Sequence, residues 1–206
     1  MLCHIVAKVT IIYGQTNGGR YMEINSQQHK DTLYSALEEA YGKIVYTYTT
    51  QIIHASRLKK RNTVLKWLQI ILSAVSTGGF LGSVVTNQSE LVWIGGLCST
   101  ALLVLTAYFK DSEFSNIYAK HHTTSNDLWT VREEYVALLT DFCTLTIDEI
   151  KNKRDDLREK TSKIYENAPI TDEKSYDLAK EAIKNYESQY FSREELNQIL
   201  PEKLRK

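Results

Sequence analysis

Hydrophobic and polar positions along this chain fall into distinct regimes. Between residues 31 and 60, apolar positions recur at steps of three or four: Leu33, Leu37, Ala40, Ile44, Tyr48, Ile52 and Ala55. That spacing predicts an amphipathic helix with one buried face, and Asp31 stands where its N-cap belongs. Polarity then almost vanishes. Residues 64–85 form an apolar stretch of 22 and residues 91–109 a second of 19, parted only by Thr86-Asn87-Gln88-Ser89-Glu90. About 20 residues rising ~1.5 Å each cross a ~30 Å hydrocarbon layer, so both stretches are long enough to span. No Pro or Gly interrupts residues 43–76, and the first helix is expected to run on from water into the first span. Beyond the second span, Phe114, Ile117, Leu128, Arg132, Tyr135, Leu139 and Phe142 predict another long helix, broken near Thr123-Thr124-Ser125-Asn126. Two such helices continuing two membrane helices should pack side by side as a stalk.

Residues 148–167 read as a charged helical run ended by Pro169, and Thr171-Asp172-Glu173-Lys174 as a capping box opening a helix that reaches Glu187. Ser192-Arg193-Glu194-Glu195 repeats the start signal before the tail from Leu200 to Lys206. The chain has two prolines, neither in the stalk, and only residues 5–13 have strand-like composition. The expected fold class is an all-α membrane protein: a two-helix transmembrane hairpin continued into a cytoplasmic helical stalk or bundle. Its divisions are a poorly defined N-terminal segment (1–30), a pre-membrane helix (31–63), the first span (64–85), an outer turn (86–90), the second span (91–109) and a helical region (110–206).

Charge sharpens this picture, because the formal net charge of zero conceals a split. Residues 1–63 carry eight Lys/Arg against four Asp/Glu, and residues 110–206 carry sixteen against twenty. Lys66 and Glu90 alone are charged between them. Neither arm has the concentrated basic face that direct nucleic-acid binding needs. The basic cluster Arg57, Lys59, Lys60 and Arg61 just before the first span is the topology determinant, since such clusters are retained on the cytoplasmic side. Both termini are therefore expected in the cytoplasm. Trp67, Trp93 and Tyr108 suit the interfacial belt, and Lys66 can snorkel. Three scattered cysteines, Cys3, Cys98 and Cys143, make neither a disulfide framework nor a zinc site and point to a reducing compartment. Residues 1–9 do not form a signal peptide. The soluble alternative, a buried hairpin inside a larger core, would need the remaining charged chain to wrap two apolar helices.

His54-Ala55-Ser56-Arg57, the Gly-containing hairpin, Tyr118, His121 and Trp129 after it, Asp155-Asp156-Leu157, Ala168-Pro169-Ile170-Thr171 and Leu200-Pro201 follow one another along the chain. That order of features resembles the SLATT family, two-transmembrane effector domains associated with bacterial nucleotide-signalling and SLOG systems. The resemblance spans roughly residues 31–204, and its specificity lies in the order of short motifs. The resemblance implies a pore-forming or membrane-disrupting effector of an antiphage conflict system in the bacterial inner membrane, silent until a partner protein or nucleotide signal releases it. Implied partners are a nucleotide synthase or a SLOG protein, and a reverse transcriptase in the branch of the family that lies beside those enzymes.

On the first span, Lys66, Gln69, Ser73, Ser76, Phe80 and Ser83 fall at alternating steps of three and four, one stripe of a helix. Gln69, Ser73, Ser76, Phe80 and Ser83 are thus candidate pore-lining residues of a homo-oligomer, with Phe80 as a hydrophobic constriction. The bland reading is close packing, for which Ala74, Gly78 and Gly82 offer one small-residue row and Gly95 and Ser99 another. The two readings can coexist on different faces.

No enzymatic activity, cofactor or metal is expected. The Gly14-to-Arg20 run lacks the Lys-Ser/Thr of a phosphate loop. His121 and His122, adjacent on a helix, point about 100° apart and cannot share a metal as an i, i+4 pair could. Asp155 and Asp156 lie among Lys153, Arg154 and Arg158, a solvated charged face. The non-conducting alternative is a lipid-embedded anchor that recruits a partner enzyme. Met22 offers a second start codon, and residues 1–21 are expected to be dispensable if translation begins there.

Overall fold

The computed structural model describes residues 17–86, 89–111, 114–185 and 191–205. The strand-like residues 5–13, the turn residues Asn87 and Gln88, and Glu187 lie outside them. Among the described residues the chain is helical: α1 (Asn17–Thr86), α2 (Ser89–Asp111), α3 (Phe114–Asp141), α4 (Ile147–Asn167), α5 (Glu173–Asn185) and α6 (Arg193–Ile199), then a 3-10 turn (Glu202–Leu204). Helix α1 runs 70 residues without a break, from the water-facing segment through the first span. It begins upstream of the expected N-cap. No proline stands between Asn17 and Asp31 to stop it, and the Asp31 carboxylate accepts instead from Gln27 one turn earlier, at 3.0 Å.

The apolar windows of α1 and α2 have mean hydropathy 1.7 and 1.8, yet only 6% of each is buried. A core helix of a soluble protein would be mostly covered, and these two windows are not. The two spans pack on each other along one line. Gly79 and Gly95 sit at the closest approach: a Cβ on Gly79 would meet the Leu91 carbonyl oxygen at 3.2 Å, and one on Gly95 the Ser76 carbonyl oxygen at 3.2 Å. Small residues matter here because lipid supplies no hydrophobic drive, and backbone proximity must hold the pair.

Outside the membrane, α3 returns antiparallel along α1, α4 folds back along α3, and α5 lies on α1. Leu33, Leu37 and Ile44 of α1 meet Leu128, Val131, Tyr135 and Leu138 of α3, with Phe142 and the α4 residues Ile150 and Leu157 closing the core. The 123–126 segment continues α3 instead of breaking it. Its hydroxyls are absorbed locally: the Ser125 Oγ donates to the His122 carbonyl at 2.7 Å, with Thr124 and Ser125 buried. Helix α4 starts on a capping box, Thr146 with Glu149. Helix α5 starts one residue later than expected, because the Asp172 carboxylate, not Thr171, accepts the Ser175 N–H at 2.9 Å. The Ser192–Glu195 box forms as expected. Cys98 is a free thiol. Cys143 is disulfide-bonded, a departure from the expectation of reduced thiols.

Leu128 is fully buried and Ile170 is 94% exposed. Leu128→Ala should therefore destabilise the bundle by about 2–5 kcal/mol, read as a lowered melting temperature of the full chain in detergent. Ile170→Ala should change stability by ~0.5 kcal/mol or less.

Candidate functional site

Where the bundle approaches the membrane, its interior turns polar. Thr49, Thr50 and Gln51 of α1, His121, Thr124 and Ser125 of α3 and Ser175 of α5 are all buried. Thr49 and Thr50 bond their own helix, donating to the Val45 and Tyr46 carbonyls at 2.8 Å each. Gln51 spans two elements: its Nε2 donates to the Pro169 carbonyl at 3.1 Å, and its Oε1 lies 2.5 Å from His121 Nδ1. With the amide fixed by Pro169, the imidazole must donate through Nδ1. His54, one turn along α1, stacks on His121 with ring centroids 4.2 Å apart. Its Nδ1 lies 3.2 Å from the Asp172 carboxylate and 3.1 Å from the Ser175 hydroxyl. Arg57, three residues further, donates through Nη1 to Asp172 Oδ1 and Oδ2 at 2.6 and 2.7 Å and to Ser175 Oγ at 2.6 Å.

Four segments of the chain thus meet at one polar clamp. Residues 115–121 apart in sequence are joined there, with Asp172 at its outer edge and His121 at its centre. Burial, and then the neighbouring His54, push the His121 imidazole down to about 4, against a weaker upward pull from Asp172. The Ser175 hydroxyl, then the Arg57 guanidinium, hold the Asp172 carboxyl well below the usual range. A second cluster lies deeper in the bundle, where the Arg132 guanidinium stacks on Trp129 at 4.6 Å, Trp129 packs on Tyr48 at 5.3 Å, and Arg132 pairs with Glu133.

The candidate pore stripe is divided by the fold. Gln69 and Ser76 turn toward the hairpin's own seam, Gln69 Nε2 lying 3.4 Å from Thr106 Oγ1 and Ser76 Oγ 2.6 Å from Ser99 Oγ, while Ser83 is buried and its Oγ donates to the Phe80 carbonyl of its own helix at 2.7 Å. Ser73 and Phe80 are exposed, Phe80 by 62%. Of the packing rows, Gly95 and Ser99 lie in the seam and a Cβ on Gly82 would touch Leu91 at 3.4 Å, whereas Gly78 meets nothing and Ala74 is exposed. Gly79 takes the place expected of Gly78, one position round the helix. Of the basic cluster, Arg57 joins the clamp and Arg61 Nη2 donates to the Tyr108 hydroxyl at 3.2 Å, while Lys59 and Lys60 are exposed. His122 lies 3.3 Å from Asn126, away from the clamp. Asp155 pairs with Arg154 on the surface. Gln51, Asp172 and Ser175 had no signal in the sequence beyond their residue types.

These features define an all-α two-transmembrane protein whose flanking helices close into a bundle at the membrane. The chain belongs to the SMODS and SLOG-associating 2TM effector domain family, family 4, whose profile matches residues 33–195. That description names no reverse transcriptase. No curated protein and no solved structure matches the chain.

His121 stays neutral in the fold, so below its ordinary value of 6.5 the unfolded chain binds a proton the native chain refuses. Stability should fall as pH drops from 6.5 towards about 4 and level off below, by at most about 3 kcal/mol. Asp172, depressed in the fold, contributes above its ordinary value of 3.8 and loses that contribution only at still lower pH, so it does not offset the loss. Denaturant melts of the full chain at pH 7.5 and 5 check this. His121→Asn should flatten the dependence, and an unchanged slope in that variant would place the proton elsewhere.

Proposed function

We propose that the chain is a non-enzymatic membrane effector of a bacterial conflict system. It sits in the inner membrane with both termini in the cytoplasm and opens a homo-oligomeric pore when a partner acts on its bundle. The observation that carries this reading is the continuity of α1. One unbroken helix of 70 residues holds Gln51, His54 and Arg57 in the clamp and Gly79 in the membrane seam. A rigid helix transmits a rotation or shift at one end to the other, so a ligand favouring a second arrangement of the bundle would bias the hairpin as well. The family's description, which names association with SMODS and SLOG, favours a SMODS protein or a SLOG protein as that partner. The groups with the strongest perturbation, His121 and Asp172, are committed to protein partners, which favours a structural clamp over catalysis. Orientation rests on the basic cluster at residues 57–61. Reporter fusions at the C-terminus test that orientation.

A second reading, a non-conducting anchor that recruits an enzyme, is favoured by a specific observation. Three of the five stripe residues, Gln69, Ser76 and Ser83, are engaged within the hairpin and need no pore to satisfy them. A pore would then be lined from the exposed face, by Ser73 and Thr77 with Phe80 as its constriction.

A membrane-potential dye in cells with induced expression separates the readings. Triggered wild type should collapse the potential if it conducts, and an anchor leaves it intact. Phe80→Ala should depolarise cells without any partner gene, while Phe80→Leu, similar in bulk, should stay quiet. Equal potentials in wild type and Phe80→Ala, at equal membrane abundance, would remove Phe80 as the gate.

A further inference from the structure

At the foot of the first span, Arg57, Lys60, Arg61, Val64 and Leu65 line a shallow, largely open depression of about 350 Å³. Their spacing of three, one, three and one places all five on one face of α1. Along that face the chemistry changes in the order of a phospholipid's own: three cations on the bundle side, then two aliphatic side chains where the apolar stretch begins. We propose that this face is a binding site for one anionic phospholipid, with the headgroup phosphate among the cations and the upper acyl chain on Val64 and Leu65.

Two of the three cations are oriented in advance by other helices. The Arg61 guanidinium lies 5.4 Å over the Phe114 ring and donates to the Tyr108 hydroxyl at 3.2 Å. Arg57 is held by Asp172 and Ser175. A guanidinium fixed by aromatic and hydroxyl contacts loses little side-chain freedom when a phosphate arrives, which separates a built site from a loose basic tail. Lys60 is exposed and supplies a mobile third charge. Among the described residues Asp172 is the sole carboxylate in contact with the three, and it is already shared between Arg57 and His54. Lys59 provides the internal control, because it carries the same charge at the same depth and does not line the surface.

The aliphatic floor selects a lipid over free phosphate, and the charge selects an anionic lipid over a zwitterionic one. Diffuse attraction of basic residues to anionic membrane is worth about 1 kcal/mol per charge, roughly a fivefold change in affinity whichever lysine is removed. A site makes the positions unequal.

The purified full chain in neutral detergent is titrated with dioleoylphosphatidylglycerol or dioleoylphosphatidylcholine, and bound lipids are counted by native mass spectrometry. Micelles remove any effect of these charges on insertion. The expected result is at least a tenfold preference for phosphatidylglycerol, lost in Lys60→Gln, kept in Lys59→Gln and restored in Lys60→Arg, with equal melting temperatures for all. Equal binding of the two lipids would overturn the proposal. So would equal losses in the Lys59 and Lys60 variants, the mark of diffuse charge, or full displacement of the lipid by millimolar inorganic phosphate, the mark of a plain anion site.

Discussion

The pairing of α1 with the returning half of the chain is what the rest of the structure depends on. It is one seam in two solvents, and its chemistry changes where the solvent does. In water the seam is Leu33, Leu37 and Ile44 against Leu128, Val131, Tyr135 and Leu138, because removing apolar area from water is the strongest force available there. In lipid the same force is absent, and the seam becomes Ser76, Gly79, Gly95 and Ser99, where backbones touch and hydroxyls pair. Every other element is secondary to this seam. Helix α4 covers the far end of α3 through Ile150 and Leu157, and α5 caps the side of α1.

The seam's apolar half was legible in the sequence, since a period of 3.6 records a buried face directly and span length records bilayer thickness. Its local deviations were harder to read. The 123–126 segment looks like a break by residue type, but Ser125 bonds within the helix once packing buries it. Asp31 has the type of an N-cap, yet a cap needs the preceding chain to leave the helix, and nothing upstream forces it to. Gly78 and Gly79 are adjacent glycines 100° apart on a helix, so choosing between them requires knowing where α2 lies. The box at Thr171 was misplaced by one residue for a related reason: Thr171 and Asp172 are both capping types, and the pull of Arg57 on Asp172 comes from another helix.

The clamp was the least legible part. Arg57 was singled out as a topology determinant, His121 in weighing a metal site and His54 through resemblance, none of them as members of a clamp, and Gln51, Asp172 and Ser175 were not singled out as a site. A network of this kind has no periodicity, because each member is chosen by the geometry of a partner 70 to 121 residues away. Such a network also differs from an apolar core in what it tolerates. Leucines interdigitate with modest loss after a small slide, whereas a buried imidazole moved off its amide leaves two unsatisfied groups.

Placing that intolerant layer at the membrane-proximal end has a consequence for the whole chain. Gln51 meeting both His121 and Pro169 fixes the register of α1 against α3 and against the α4–α5 turn at once. Because α1 continues unbroken into the bilayer, the same contacts set the rotation and height at which Gly79 is presented to Gly95. The membrane seam, held by close contact and a few hydroxyls, has little energy with which to choose its own register. The choice is therefore made outside the membrane, by polar groups that a small chemical change can rearrange, and is carried into it by the helix.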